Sequence, residues 1–172
     1  METKKAFSEA SVYVGTYAKY SQRRIYGDWL NISDYDSLED FLKACRELHD
    51  DEDEPVFMFQ DWVNIPDELI SEGELSPAIF ELEKCEVAPF LVWLKEYSDC
   101  KYLKCDLKNF LETFRDQFCG EWKSERAYAE QLFDECYYEI PKFVRDYIDF
   151  DALARDLFRC DHSYIDGYVF RV

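Results

Sequence analysis

No third of this chain is electrically neutral. Residues 1–60 carry 13 acids against 7 bases, residues 61–120 carry 13 against 6, and residues 121–172 carry 12 against 7. The formal charge is −18 over 172 residues, an upper limit in magnitude because crowded carboxylates retain protons. Like charge spread this evenly opposes compaction. It also disfavours direct contact with DNA or anionic lipid, so any charged partner is expected to be basic. Against this repulsion stands the apolar content, 48% hydrophobic residues with aromatics at 18%. A disordered acidic tail would be aromatic-poor, so the chain is expected to fold, as one ordinary domain or as two or three very small ones.

The acids are densest in HDDEDEP, His49 to Pro55, where five carboxylates follow one another. Three readings compete: a metal loop, a solvated turn, or a charge pattern aimed at a partner. A calcium-binding EF-hand loop needs Gly at position 6 and a bidentate Glu at position 12. Counting from Asp50 puts Pro55 and Asp61 at those positions, which argues against a dedicated calcium loop. Zinc has little support: only His49 and His162 exist, and Cys100 and Cys105 are the nearest cysteine pair. No metal and no cofactor is expected. His49 reads as a cation favoured by a helix C-terminus and the acids that follow. The cysteines (45, 85, 100, 105, 119, 136 and 160) include no C-x-x-C, and METKKAFSEA has no apolar signal core. They read as reduced, mostly packed thiols in a cytoplasmic protein. The run VAPFLVWL (87–94) is too short to span a bilayer, so no membrane association is expected.

Periodicity predicts an α+β chain with β-structure at both ends and helix between. SVYVGTYAKY (11–20) and RRIYGDWLNI (23–32) alternate as half-buried strands and read as a hairpin. Leu38, Phe41, Leu42, Cys45 and Leu48 share one face of a helix, capped by Asp36 or Ser37. VFMFQDW (56–62) is a third strand. The middle, 64–108, suggests short helices, with Pro77 and Pro89 in first turns. Helical patterns return at 124–135 and 150–159, and Asp166–Gly167 between aromatic runs marks a hairpin. The expected divisions are an α+β domain over 1–63 (a three-stranded antiparallel sheet plus helix), a small helical domain over 64–108, and an α+β domain over 109–172.

Five scattered glycines provide neither a phosphate-cradling loop nor a nucleophile elbow, and nothing marks out one carboxylate pair for hydrolysis. An enzyme is not expected. If the helix from 38 continues through the acid run, Glu47, Asp50, Asp51 and Glu54 form one negative stripe, about 5–6 Å between neighbours. Glu68 and Glu72, Glu83 and Glu86, Glu130 and Asp134, and Asp149 and Asp156 repeat that face-sharing spacing. Duplex DNA carries one negative charge per about 1.7 Å of axis, and acid stripes are a sparse protein copy of that row. Solvated faces explain most individual pairs, but not an acid excess in every segment.

The residues VYVGTYAKY, YGDWLNI, FQDW and the C-terminal run IPKFVRDYIDFDALARDLF…YIDGYVF resemble the ArdA antirestriction family, from about Ser11 to the end. The resemblance implies an elongated, three-domain acidic homodimer that is not an enzyme. It implies an inhibitor that mimics bent DNA, occupies the DNA-binding groove of the type I restriction-modification core (specificity plus modification subunits), and binds no nucleic acid itself. The mimicking acids are then expected among Glu47, Asp50, Asp51, Glu52, Asp53, Glu54, Asp67, Glu68, Glu72, Glu83, Glu86, Asp106, Glu112 and Asp116. The family's antirestriction motif falls on Glu139, Ile140, Pro141, Phe143, Val144, Tyr147, Ile148, Asp149, Phe150 and Asp151, with Phe150 where Tyr is usual. The resemblance implies that this segment lies at or near the dimer contact; ordinary domain core is the competing reading for its apolar side chains. The extension METKKAFSEA and the lysines 101, 104 and 108 depart from the family pattern. An acidic module that binds another basic DNA-binding or nucleoid protein is the alternative.

Overall fold

The computed structural model describes residues 6–97 and 107–172, in two compact units divided between Lys108 and Asn109. The architecture is mixed α+β, with three small antiparallel sheets among the described residues. The first unit takes in both the 1–63 and the 64–108 segments.

In the first unit, β1 (Ser11–Thr16) leads directly into α1 (Tyr17–Ser21), followed by β2 (Asp28–Asn31), α2 (Leu38–Leu48) and β3 (Phe57–Val63). The sheet order is β2-β1-β3. Val12 and Val14 on the central strand are fully buried. The 11–32 hairpin exists, but its first strand stops at Thr16, four residues short of the predicted end. The cause is local: the Thr16 side chain accepts a hydrogen bond from the Lys19 amide and starts a helical turn. Gly27 is required on the return, since a Cβ there would lie 2.3 Å from the Val14 carbonyl oxygen.

Helix α2 begins as its sequence predicts. Ser37 accepts from the Asp40 amide, and the Asp40 carboxylate accepts from the Ser37 hydroxyl. Its buried face carries Phe41 and Cys45. The Phe41 ring packs between Tyr35, Phe59 and Phe80, at centroid distances of 5.4, 6.2 and 6.2 Å. One ring thus joins helix, sheet and the segment beyond residue 64.

That segment holds β4 (Ile70–Ser71), β5 (Glu74–Leu75), α3 (Ala78–Glu81) and α4 (Val87–Tyr97). The two-stranded ribbon was not predicted. It is anchored from outside its own sequence, by the Phe59 amide donating to the Glu72 carbonyl. Pro77 stands at the start of α3 and Pro89 lies in the first turn of α4, as expected.

In the second unit, α5 (Leu107–Gln117) runs into β6 (Phe118–Glu121), then α6 (Glu125–Cys136), α7 (Lys142–Arg145), α8 (Phe150–Cys160), β7 (His162–Ile165) and β8 (Tyr168–Arg171). The sheet order is β6-β8-β7. Asp166 and Gly167 form the expected hairpin, with φ of +51° and +88°. Two successive left-handed residues match the right-handed twist of the flanking strands. Helices α6 and α8 pack through Phe133 against Phe150 and Tyr128 against Phe158.

The cysteines depart from expectation. All five described ones are free, but only Cys45 is buried; Cys85, Cys136 and Cys160 are exposed. Cys45 faces Phe41's side of α2, and burial pushes its thiol up to about 12. Cys136 and Cys160 are the last residues of their helices, and Cys85 lies in the turn before α4. Cys100 and Cys105 lie outside the described residues.

Candidate functional site

The acid run does not continue the helix. α2 ends at Leu48, His49 caps it, and the next residues form a turn. The helical stripe through Glu47, Asp50, Asp51 and Glu54 therefore does not form. What replaces it is a sorting of the five acids. Asp51 and Glu52 turn toward Lys19, whose ammonium lies 2.6 and 3.4 Å from their carboxylate oxygens. The Thr16 hydroxyl also donates to Glu52, at 2.6 Å. Asp50, Asp53 and Glu54 face solvent, and the Asp51 side chain, though paired, is also 60% exposed.

Lys19 is only 7% exposed, and His49 is fully buried beside it. The Lys19 Nζ lies 3.0 Å from His49 Nδ1, and His49 Nε2 lies 3.2 Å from the Val14 carbonyl oxygen. A carbonyl only accepts, so Nε2 carries the proton and Nδ1 accepts from Lys19. The expectation that His49 serves as a cation is thus corrected: an ammonium already stands against its free lone pair. Burial works against the Lys19 charge, but the hydrogen bond and charge of Asp51, then those of Glu52, outweigh it and raise its pKa. Ligand-type atoms of His49, Asp51 and Glu52 lie within 4.8 Å of one another, and the cation among them is the chain's own. The sequence reading missed Lys19. Its one signal was a lone base in an otherwise apolar-rich stretch.

Of the other face-sharing pairs, Glu130 and Asp134 do lie one turn apart on α6, where Arg145 meets both, whereas those between residues 68 and 86 form no helix row. Glu68 lies in a turn and Glu72 in the ribbon connection. Glu83 precedes α4, its amide bonded to the Glu86 carboxylate. Glu47, Asp67, Glu68, Glu72, Glu83, Glu112 and Asp116 are exposed, and Glu52 and Glu86 are half-buried. Asp106 and the lysines 101 and 104 lie outside the described residues, as does the Lys108 side chain.

The segment 139–151 has the opposite character. Pro141 opens α7, and the Asp149 side chain caps α8 by accepting from the Ala152 amide. Phe150 is buried against Phe133, with the Arg145 guanidinium 4.8 Å from its ring centre. Ile140, Val144 and Ile148 are half-buried, Glu139 is exposed, and Phe143 and Tyr147 are 68% and 86% exposed. Tyr137 and Tyr138 are exposed nearby and help line an open groove of about 580 Å³. Three acids around this patch, Glu130, Asp134 and Asp151, are paired. Arg145 holds Asp134 through two hydrogen bonds, and Arg126 bridges Glu130 and Asp151. The Arg145 hydrogen bond holds the Asp134 carboxyl below its usual range. The two competing readings divide by residue: Phe150 is core, while Phe143 and Tyr147 are surface.

A family-wide sequence profile described as antirestriction protein (ArdA) matches residues 12–170. The chain belongs to the ArdA antirestriction family. In this ArdA chain the match takes in β1 through most of β8, and so includes both the acid run and the exposed aromatic segment. No curated protein sequence gives a significant match. ArdA membership implies antirestriction. Among the described residues, no helix is long and apolar enough to cross a membrane.

Proposed function

We propose that this protein blocks type I restriction-modification enzymes by imitating DNA. The family match over residues 12–170 carries the reading. The chain-long acid excess gives it a mechanism: carboxylates occupy the basic groove that otherwise holds phosphates. The array is broad, drawing on the exposed acids of the 50–54 run, Glu47, Asp67, Glu68, Glu72, Glu83, Glu112 and Asp116. No single carboxylate dominates it.

The protein acts as a homodimer in the cytoplasm, joined through the 139–151 segment. Charge pairing supports that location. Two surfaces of like net charge meet at least cost where acids are already neutralised, as Glu130, Asp134 and Asp151 are by Arg126 and Arg145. Exposed Phe143 and Tyr147 supply the apolar anchors.

Plating unmodified phage on a host with a type I system tests the function. Expression of this protein is expected to restore plaque numbers toward those on a non-restricting host. Unchanged plating against every type I family tried would contradict the reading.

A further inference from the structure

We propose that Lys19 and His49 are positioning residues that fix the 50–54 turn and decide which of its acids offer uncompensated charge to a partner. The inference deepens the proposed function and relies on it only for the partner. Its basis is a buried chain of contacts from three parts of the fold. Thr16 ends β1 and caps α1, which places Lys19 inward. The Lys19 ammonium then meets His49 at 3.0 Å, Asp51 at 2.6 Å and Glu52 at 3.4 Å. Val14 on β1 fixes the other side of the imidazole.

The consequence is a division of labour within five adjacent carboxylates. Two, Asp51 and Glu52, are neutralised by Lys19, although the Asp51 side chain itself stays 60% exposed. Three, Asp50, Asp53 and Glu54, are left projecting from a turn whose base is fixed. Without the clasp, five mutually repelling acids on a turn have no reason to keep one arrangement. An ordered set of three presents fixed charges to a groove, and a disordered set must be ordered on binding.

The groups facing His49 are Lys19 from α1, Asp51 from the turn, the Val14 carbonyl from β1, the Tyr26 ring from the loop before β2, and the Phe57 ring from β3. Glu52 acts one step removed, through Lys19. Of these groups it is the Lys19 ammonium that meets Nδ1. Asp51 remains ionised through the neutral range, since the Lys19 hydrogen bond holds its carboxyl below the usual value.

Hydrogen exchange of the backbone amides of residues 50–54 tests the clasp in the isolated protein. Lys19→Met removes a charged hydrogen-bond donor, so these amides are expected to exchange roughly 10- to 100-fold faster. His49→Asn keeps a side-chain acceptor for Lys19, so it is expected to retain the protection of these amides. It also remains informative if Lys19→Met fails to fold. Unchanged exchange in a folded Lys19→Met, or protection lost in a folded His49→Asn, would overturn the clasp. The partner step is read separately, by affinity for a purified type I methyltransferase core. A looser turn with unchanged affinity would overturn the presentation of these acids. No binding by the wild type would instead refute the proposed function, while the exchange data would still decide the clasp.

Discussion

Replacing Tyr147 by Asp is expected to dissociate the dimer without unfolding the protein. The side chain is 86% exposed, so it contributes little to either unit's core. A substitution at such a surface position shifts stability by about 0.5 kcal/mol or less. Its cost to association is larger. An aromatic anchor in an interface is worth about 2 kcal/mol, and a two-fold contact uses the same residue twice, giving about 4 kcal/mol. That is roughly a thousandfold in the dimer dissociation constant, before the desolvation of a new carboxylate is added. Sedimentation equilibrium over a range of concentrations measures it, with a thermal melt as the control for folding. Phe150→Ala provides the contrast within the same motif. Its ring is buried against Phe133, so truncation should cost about 3–5 kcal/mol of stability. A Tyr147→Asp protein that melts and sediments like the wild type would refute the assignment of this segment to the contact. A wild type that sediments as a monomer at every concentration would refute the dimer itself.

Two further predictions concern the units. Phe41→Ala should destabilise the first unit by about 3–5 kcal/mol in denaturant unfolding, because the ring is fully buried among Tyr35, Phe59 and Phe80. A double-mutant cycle with Phe80→Ala should return a coupling of at least about 0.5 kcal/mol, and simple additivity would show that the two rings do not share a core. His162 should make the second unit acid-sensitive. Its Nε2 is 2.9 Å from the Tyr128 hydroxyl, its Nδ1 has no partner, and burial, then the Arg171 charge, lowers its pKa. The neutral form is the folded one. Stability is therefore intact above the unfolded histidine pKa of about 6.5 and is lost as pH falls through the lower folded value. His162→Gln should flatten that loss in melts between about pH 7 and pH 5; an identical pH profile would contradict it.

Local signals carried much of the fold. The Ser37 cap and the Leu38–Leu48 face, the β1–β2 pairing, and the Asp166–Gly167 turn each depend on neighbours within a few residues. The ribbon at 70–75 was illegible because two-residue strands have no measurable period, and its anchor comes from Phe59. β6 was missed for a similar reason: four residues following a helix pair only with the last strand. The candidate site was legible in composition and not in geometry. Which acids keep uncompensated charge depends on Lys19, more than thirty positions away from Asp51 and Glu52 along the chain, and no spacing rule connects them. The 139–151 segment shows the same limit, since nothing local separates buried Phe150 from exposed Tyr147.

The central claim is that this acidic surface and DNA compete for one groove. Competition binding measures that directly: a purified type I methyltransferase core, a labelled duplex carrying its recognition site, and increasing amounts of this protein at several salt concentrations. The account predicts displacement of the duplex, with affinity for the protein itself falling steeply as salt rises. A ternary complex that retains the duplex, or an affinity indifferent to salt, would contradict DNA mimicry.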